Sequence, residues 1–442
     1  MKKVSYSDKS PGGNLLFGVA ALTIVIQAIL AIAGRYILFA DGSYTTLVLA
    51  QNKNFFINSA EWNRSLSYVV TQFLPVALAN SAKPSLSLIS YAYGFSCVAI
   101  PAAVFVATLK RFRHSTFAPI VYIFCPLLFG SALLICVSTS LIGATLQFAL
   151  FSYLYFNRNL RPEFVGFISM LFPIASLLGD SFLPFVPVFL ITIFYLNFND
   201  RKVYYRGLLL FGLLIGMAIN FVNLLQRSQG NSLTSSTNGV ISNQVFLQNP
   251  QLTLLLGMSL LAGITIYSGS SLRFILLLLT VAIGLIALIV GPKNGYAIFA
   301  SRYILTFGLV LLSMALLFLK VDSSRINNAS LKVVSILVSV VVLVSQLQVF
   351  LPFQGFLNKM NVVSRSCIGT VPYSSANFTE SEGLYAWSYT NPSLSRIFWD
   401  KPNGCLLQNS SPDSWQPFAP GDSDPLTKPI YIPWISVPLY WK

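Results

Sequence analysis

Long apolar runs, broken by short polar stretches, dominate this chain. The first covers about 14–34 and the second about 86–109. Two more, about 117–137 and 141–156, are joined only by Ser138-Thr139-Ser140. The next pair, about 164–178 and 182–196, turns at Gly179-Asp180-Ser181. Further runs cover about 207–225, 252–267 and 274–290. A tenth begins at Ser301-Arg302-Tyr303 and ends at Lys320, and an eleventh covers about 333–351. Runs of roughly 18 or more apolar residues match a bilayer crossing and exceed what a soluble core helix needs. The pattern predicts an all-α polytopic membrane protein of about 11 transmembrane helices.

The polar stretches between the runs are unequal. The loop 39–85 is too long for a connector, and Tyr44 to Ala50 and Leu66 to Leu78 within it mix apolar and polar positions. They read as short helices lying in the membrane interface. A second loop, 226–251, is rich in Ser, Asn, Gln and Thr. The tail, 352–442, is a different material, with Pro, Ser, Asn, five tryptophans and six of the chain's thirteen acids. Two domains are expected, a transmembrane one over 1–351 and a small extracytoplasmic one over 352–442.

Composition agrees with the class: 55% of residues are hydrophobic and 9% charged, against about 25% charged in soluble domains. The net charge of +15 answers to the positive-inside rule. With no compact basic module carrying interleaved aromatics, nucleic acid is not an expected partner. Placing the N-terminus in the cytoplasm puts fifteen Lys and Arg on inner segments and seven on outer loops before the tail. An odd span count then places the tail outside. Lys2, Lys3 and Lys9 followed by an apolar run also resemble a signal peptide, with Ala31-Ile32-Ala33 as its cleavage site. The run is longer than a usual signal core and is read as a span; either way residue 41 emerges outside. Cys97, Cys125 and Cys136 fall within spans as packing residues, whereas Cys367 and Cys405 share the outer tail, where a disulfide is permitted. No Cys and His spacing resembles a zinc site, so no metal ligands are assigned, and the need for a divalent metal is left open.

Asp41 opens the first outer loop, immediately after an apolar helix. Capping the following helix is one role for it. The other is chemical: an acid at the bilayer edge is costly and tends to be functional, and partial loss of water makes it a stronger base. Glu61 reads as a solvated loop acid or a partner of Arg64, and Asp180 as a turn residue; either is a possible second acid. Arg302 and Lys293 read as interfacial anchors or as a phosphate clamp, for which Arg supplies a planar fork and Lys a point charge.

An Asp just after the first span, interfacial helices behind it, and the Arg302-Tyr303 pair opening a late span resemble the GT-C glycosyltransferases, which use polyprenyl-phosphate sugars. Size, span parity and the outer tail are most similar to the serotype-converting O-antigen glucosyltransferases of enteric bacteria and their phages. The resemblance implies a GT-C-like fold in the bacterial inner membrane with a periplasmic C-terminal domain. It makes Asp41 the catalytic acid and places Arg302 and Tyr303, with Lys293, at the lipid-phosphate end of the site. Many members carry a second acid in the next outer loop; here that loop is Ser138-Thr139-Ser140.

The implied reaction is one inverting displacement, in which Asp41 deprotonates an acceptor hydroxyl that attacks the anomeric carbon of the donor. The leaving group is a phosphate monoester, so Arg302 and Lys293 would suffice without a metal or other cofactor. The implied partners are the polyprenyl-phosphate-linked sugar, a surface polysaccharide acceptor, the bilayer, a small flippase and a polyprenyl-phosphate sugar synthase. Trp387, Tyr389 and Trp415 would stack on acceptor sugar; packing of the tail is the competing role. An O-antigen polymerase or ligase, which usually carries its main loop centrally, is the alternative enzyme. A lipid-linked glycan transporter would want charge within its spans.

Overall fold

The structure, a computed structural model, describes residues 13–39, 41–56, 64–81, 84–135, 139–198, 202–228, 250–268, 270–292, 295–318, 328–367, 369–385, 391–398 and 405–408. Helices α1 (Gly13–Ala33), α2 (Asp41–Asn52), α3 (Ser65–Ala79), α4 (Leu86–Arg111), α5 (Ala118–Ala132) and α6 (Thr139–Phe156) come first. They are followed by α7 (Pro162–Ser176), α8 (Phe182–Tyr195), α9 (Lys202–Ser228), α10 (Pro250–Tyr267), α11 (Ser270–Val290), α12 (Gly295–Phe318) and α13 (Asn328–Ser366). The described tail adds a parallel pair of short strands, β1 (Gly369–Pro372) and β2 (Cys405–Gln408), and helices α14 (Glu380–Gly383) and α15 (Asn391–Phe398).

Each of the eleven apolar runs is occupied by a helix. Among the described residues, five helical stretches are long and apolar enough to cross a membrane: Asn14–Ala33, Leu86–His114, Val203–Asn223, Leu272–Val290 and Ser330–Ser366. Several other apolar helices, Ala118–Ala132 and Phe182–Tyr195 among them, are shorter. The chain is therefore a predominantly helical protein of the all-α membrane class, with a short strand pair in its tail. Several hydroxyls on these helices bond within their own helix: Thr23, Ser96, Thr108, Thr145 and Thr192 each donate to the carbonyl four residues back, a partner available without water.

The core centres on α5, which packs against α1, α10, α12 and α13 and buries most of its side chains. Peripheral α11 exposes Leu272, Ile275, Leu279, Ile286 and Ile289 instead, an apolar face suited to lipid. Contacts sort the helix ends into two sets. At one end Arg113 bonds Asn14, Tyr122 donates to the Leu109 carbonyl, Arg111 lies over Tyr153, and Arg206 donates to the carbonyls of Phe194 and Leu196. At the other end the close of α1 meets the start of α4, the late half of α13 and the described tail.

Two expectations change. α2, expected to lie in the membrane interface, is buried within the protein: Ser43 and Thr45 to Leu49 are buried, and α15 of the tail packs over it. Only α3 keeps an exposed apolar face, through Val69, Phe73 and Leu74. Nor does the last span stop at residue 351. α13 continues through Pro352 to Ser366, because Phe353, Phe356, Leu357 and Met360, all buried, keep the i, i+3, i+4, i+7 stripe that pulls a helix onto its neighbours. At 39 residues it is about 58 Å long, well beyond the roughly 30 Å of hydrocarbon.

Candidate functional site

The site is built where α1 runs out. Gly34 and Arg35 close the helix through bonds to the carbonyls of Leu30 and Ile32, and Arg35 takes a left-handed backbone (φ 54°, ψ 41°). A single tight turn, Tyr36–Leu38, follows. Tyr36, Ile37, Leu38 and Phe39 are each 1% exposed, so this connection is part of the core. It delivers Asp41 as the first residue of α2. The Gly42 amide donates to the Phe39 carbonyl at 3.2 Å, and the Thr46 hydroxyl donates back to the Gly42 carbonyl at 2.7 Å.

Three walls hold this connection. Phe353 of α13 meets Tyr36 edge-on at 5.4 Å and Phe39 at 6.2 Å. The Gln354 amide donates to the Gly34 carbonyl at 2.7 Å. Tyr385 of the tail packs on Phe39 at 6.1 Å and Phe353 at 5.3 Å, and its hydroxyl donates to the Val349 carbonyl at 3.2 Å. Aromatic pairs in these geometries add to their area burial.

The loop beyond α2 is also pinned. Gln72 of α3 bonds the Phe56 backbone twice, accepting from its N–H at 2.7 Å and donating to its carbonyl at 2.9 Å. Ser67 donates to the Leu178 carbonyl at 2.7 Å, the Leu66 amide donates to the Leu177 carbonyl at 3.2 Å, and Arg64 pairs with Asp180. Glu61, read as a partner for Arg64, lies outside the described residues; the acid that the structure brings to Arg64 is Asp180, from the turn between α7 and α8. Among the described residues no three His, Cys, Asp or Glu gather as a metal site.

Arg302 and Tyr303 lie within α12, which begins at Gly295, ahead of the expected helix mouth. Lys293, Glu61, Trp387, Tyr389 and Trp415 lie outside the described residues, as do the side chains of Asp41, Arg302, Tyr303 and Cys405. Cys97 and Cys125 are free thiols, while Cys367 is disulfide-bonded. The β1–β2 register sets Gly369 opposite Cys405, which puts the Cys405 backbone across the strand pair from a position two residues after Cys367.

The tail is fastened by a second polar contact. Glu382 accepts from Lys359 Nζ at 2.6 Å and from the amide and hydroxyl of Thr379 at 2.8 Å each, within a capping box that starts α14. Burial pushes this carboxyl up, but the bonds from Lys359 and Thr379 and the nearby ammonium outweigh it and hold it below its ordinary 4.5. A lowered folded value means that the contact stabilises fully above about 4.5 and loses that contribution as pH falls through the folded value. Thermal unfolding of the wild type between pH 6 and pH 3 should therefore show an acid-side drop that Glu382→Gln lacks; identical slopes would remove this role.

The charged residue missed in the sequence is Arg35. Its signal was present, an arginine directly after a span and followed by Tyr36, but it was counted only among the outer-loop charges. It is half-buried between Tyr91 of α4, 5.1 Å from ring centre to guanidinium, and Phe398 of α15, at 5.5 Å. Its Nη2 donates to Ser90 Oγ at 2.9 Å. Burial pushes the guanidinium below its ordinary value, partly opposed by Tyr91. No protein-family model, no curated protein and no solved structure matches this chain.

Proposed function

We propose that this chain is an inverting, membrane-embedded glycosyltransferase of the GT-C kind. It moves a sugar, with glucose as the first choice, from a polyprenyl-phosphate donor to a periplasmic O-antigen or related surface glycan. In this reading the eleven apolar helices cross the bacterial inner membrane, the basic helix ends face the cytoplasm, and loop 39–85 and the 352–442 domain face the periplasm. Asp41 takes the proton of the acceptor hydroxyl as its oxygen bonds to the anomeric carbon. The bond from that carbon to the donor phosphate breaks, and the released polyprenyl phosphate is held by Arg302, Lys293 and Tyr303. Trp387, Tyr389 and Trp415 contact the acceptor.

The observation that carries this reading is the construction of the 34–41 connection. A buried, aromatic-walled turn fixes the backbone of an acid at the bundle end away from the Arg111, Arg113 and Arg206 cluster. Catalytic groups need such support, because small displacements are expensive in rate. Mass spectrometry of lipopolysaccharide from cells with and without the gene tests it. A gain of one hexose per repeat unit is expected. An unchanged repeat unit, with the protein present in the membrane, would instead fit the transporter; a changed number of repeats with unchanged repeat mass would fit the polymerase.

A further inference from the structure

A charge withdrawn from water needs a counter-charge or a full set of hydrogen bonds. Arg35 has neither within the described protein. No carboxylate among the described residues pairs with it. Tyr91 and Phe398 cover its faces. Only Nη2 is bonded, to Ser90 Oγ, and that oxygen is oriented by its own bond to the Ser87 carbonyl at 2.7 Å. Nε is buried without a partner, and Nη1 makes no hydrogen bond among the described residues. The backbone is left-handed at a non-glycine residue, a strained conformation that persists only where its surroundings enforce it. Aromatic faces, an oriented hydroxyl and enforced strain hold a guanidinium with unused donors at the point where the chain leaves an apolar helix.

We infer that Arg35, flanked by Tyr91 and Phe398 and oriented by Ser90, is a binding site for the phosphate group of a membrane lipid. Phosphate fits better than a carboxylate side chain from a partner. The site sits at the end of a span, where lipid phosphates are concentrated, and a guanidinium with several free N–H groups suits a multi-oxygen anion. The lid over the site is Phe398, whose carbonyl accepts from Arg365 Nε at 3.3 Å, so the tail helps to enclose the lipid headgroup. This inference concerns binding and holds whichever reaction the protein performs.

Two lipids supply the same chemistry, a phospholipid headgroup and a polyprenyl phosphate. The full-length protein in detergent would be titrated by native mass spectrometry with undecaprenyl phosphate, with dioleoylphosphatidylglycerol, and with undecaprenol, which lacks the phosphate. Wild type should prefer undecaprenyl phosphate to undecaprenol. Arg35→Gln should bind phosphate-bearing lipid about 10- to 100-fold more weakly, the scale of a lost charge-assisted contact, with undecaprenol binding unchanged. Arg158→Gln, from the other end of the bundle, should leave every affinity unchanged. If phosphatidylglycerol shows the same Arg35-dependent affinity, the site takes bilayer headgroups; if undecaprenyl phosphate binds far more tightly, it takes the carrier lipid. Equal affinities in wild type and Arg35→Gln overturn the site, as does a wild type indifferent to the phosphate. Should Arg35→Gln not purify, Arg35→Lys keeps the charge but loses the fork, and unchanged affinity in that variant overturns the site equally.

Discussion

Asp41→Asn should lower glycosyl transfer by about 10²- to 10⁴-fold, the usual scale for loss of a general base, while protein level and donor binding persist. Asparagine keeps the shape and most hydrogen bonding of the side chain and removes its basicity. The competing roles make a different forecast. Asn caps a helix about as well as Asp, and losing a charge from the first turn of α2 costs only about 0.3–1 kcal/mol. A capping or dipole role therefore leaves transfer near wild type. Arg302→Ala supplies the contrast: it should weaken donor binding and slow departure of the phosphate, and Arg302→Lys should recover only part, since the planar fork is gone. Wild-type transfer by Asp41→Asn would sink the catalytic assignment and move attention to Glu61 and Asp180.

Gly42→Ala should be nearly as damaging, although it removes no functional group. A Cβ at this position would collide with the Ile37 carbonyl oxygen. That oxygen belongs to the buried turn 36–39 and has no room to yield, so the start of α2 must move instead. Residue 42 adjoins Asp41, and a displacement of about 1 Å at a reacting group can cost on the order of 10²-fold in rate. Transfer by purified Gly42→Ala should fall by at least that much, with a lower unfolding temperature. Near-normal transfer by Gly42→Ala would mean that the geometry of this turn does not matter to the chemistry.

The helices were legible from the sequence because apolar runs of bilayer length have few other uses, and all eleven runs are helical. Loop 39–85 was legible as two short helices for a similar reason, the mixed pattern over Tyr44 to Ala50 and Leu66 to Leu78. What could not be read was which face of α2 is covered, since its cover comes from α15, some 350 residues later in the chain. The extent of α13 was hidden by Pro352, a residue that ends many helices but here sits within a stripe continued by Phe353 and Phe356. Asp180 is the turn residue its flanking Gly179 and Ser181 suggested, but its pairing with Arg64 was hidden because Arg64 lies 116 positions away. Arg35 was overlooked because one arginine after a span is ordinary; that no carboxylate among the described residues pairs with it is visible only in three dimensions.

The contacts of Phe39 with Tyr385 and of Arg35 with Phe398 join the beginning of the chain to its end. Such long-range pairings form late, because a very long loop must close before they contribute anything. During synthesis α1 and the Asp41 turn leave the ribosome hundreds of residues before the segments that wall them in. The turn 36–39 therefore enters the membrane before Phe353 and Tyr385, the aromatic rings that later wall it in, have been made. A chain cut short before Phe353 would leave the turn ahead of α2 without the rings that cover it, so truncation of the tail should loosen a connection more than three hundred residues earlier.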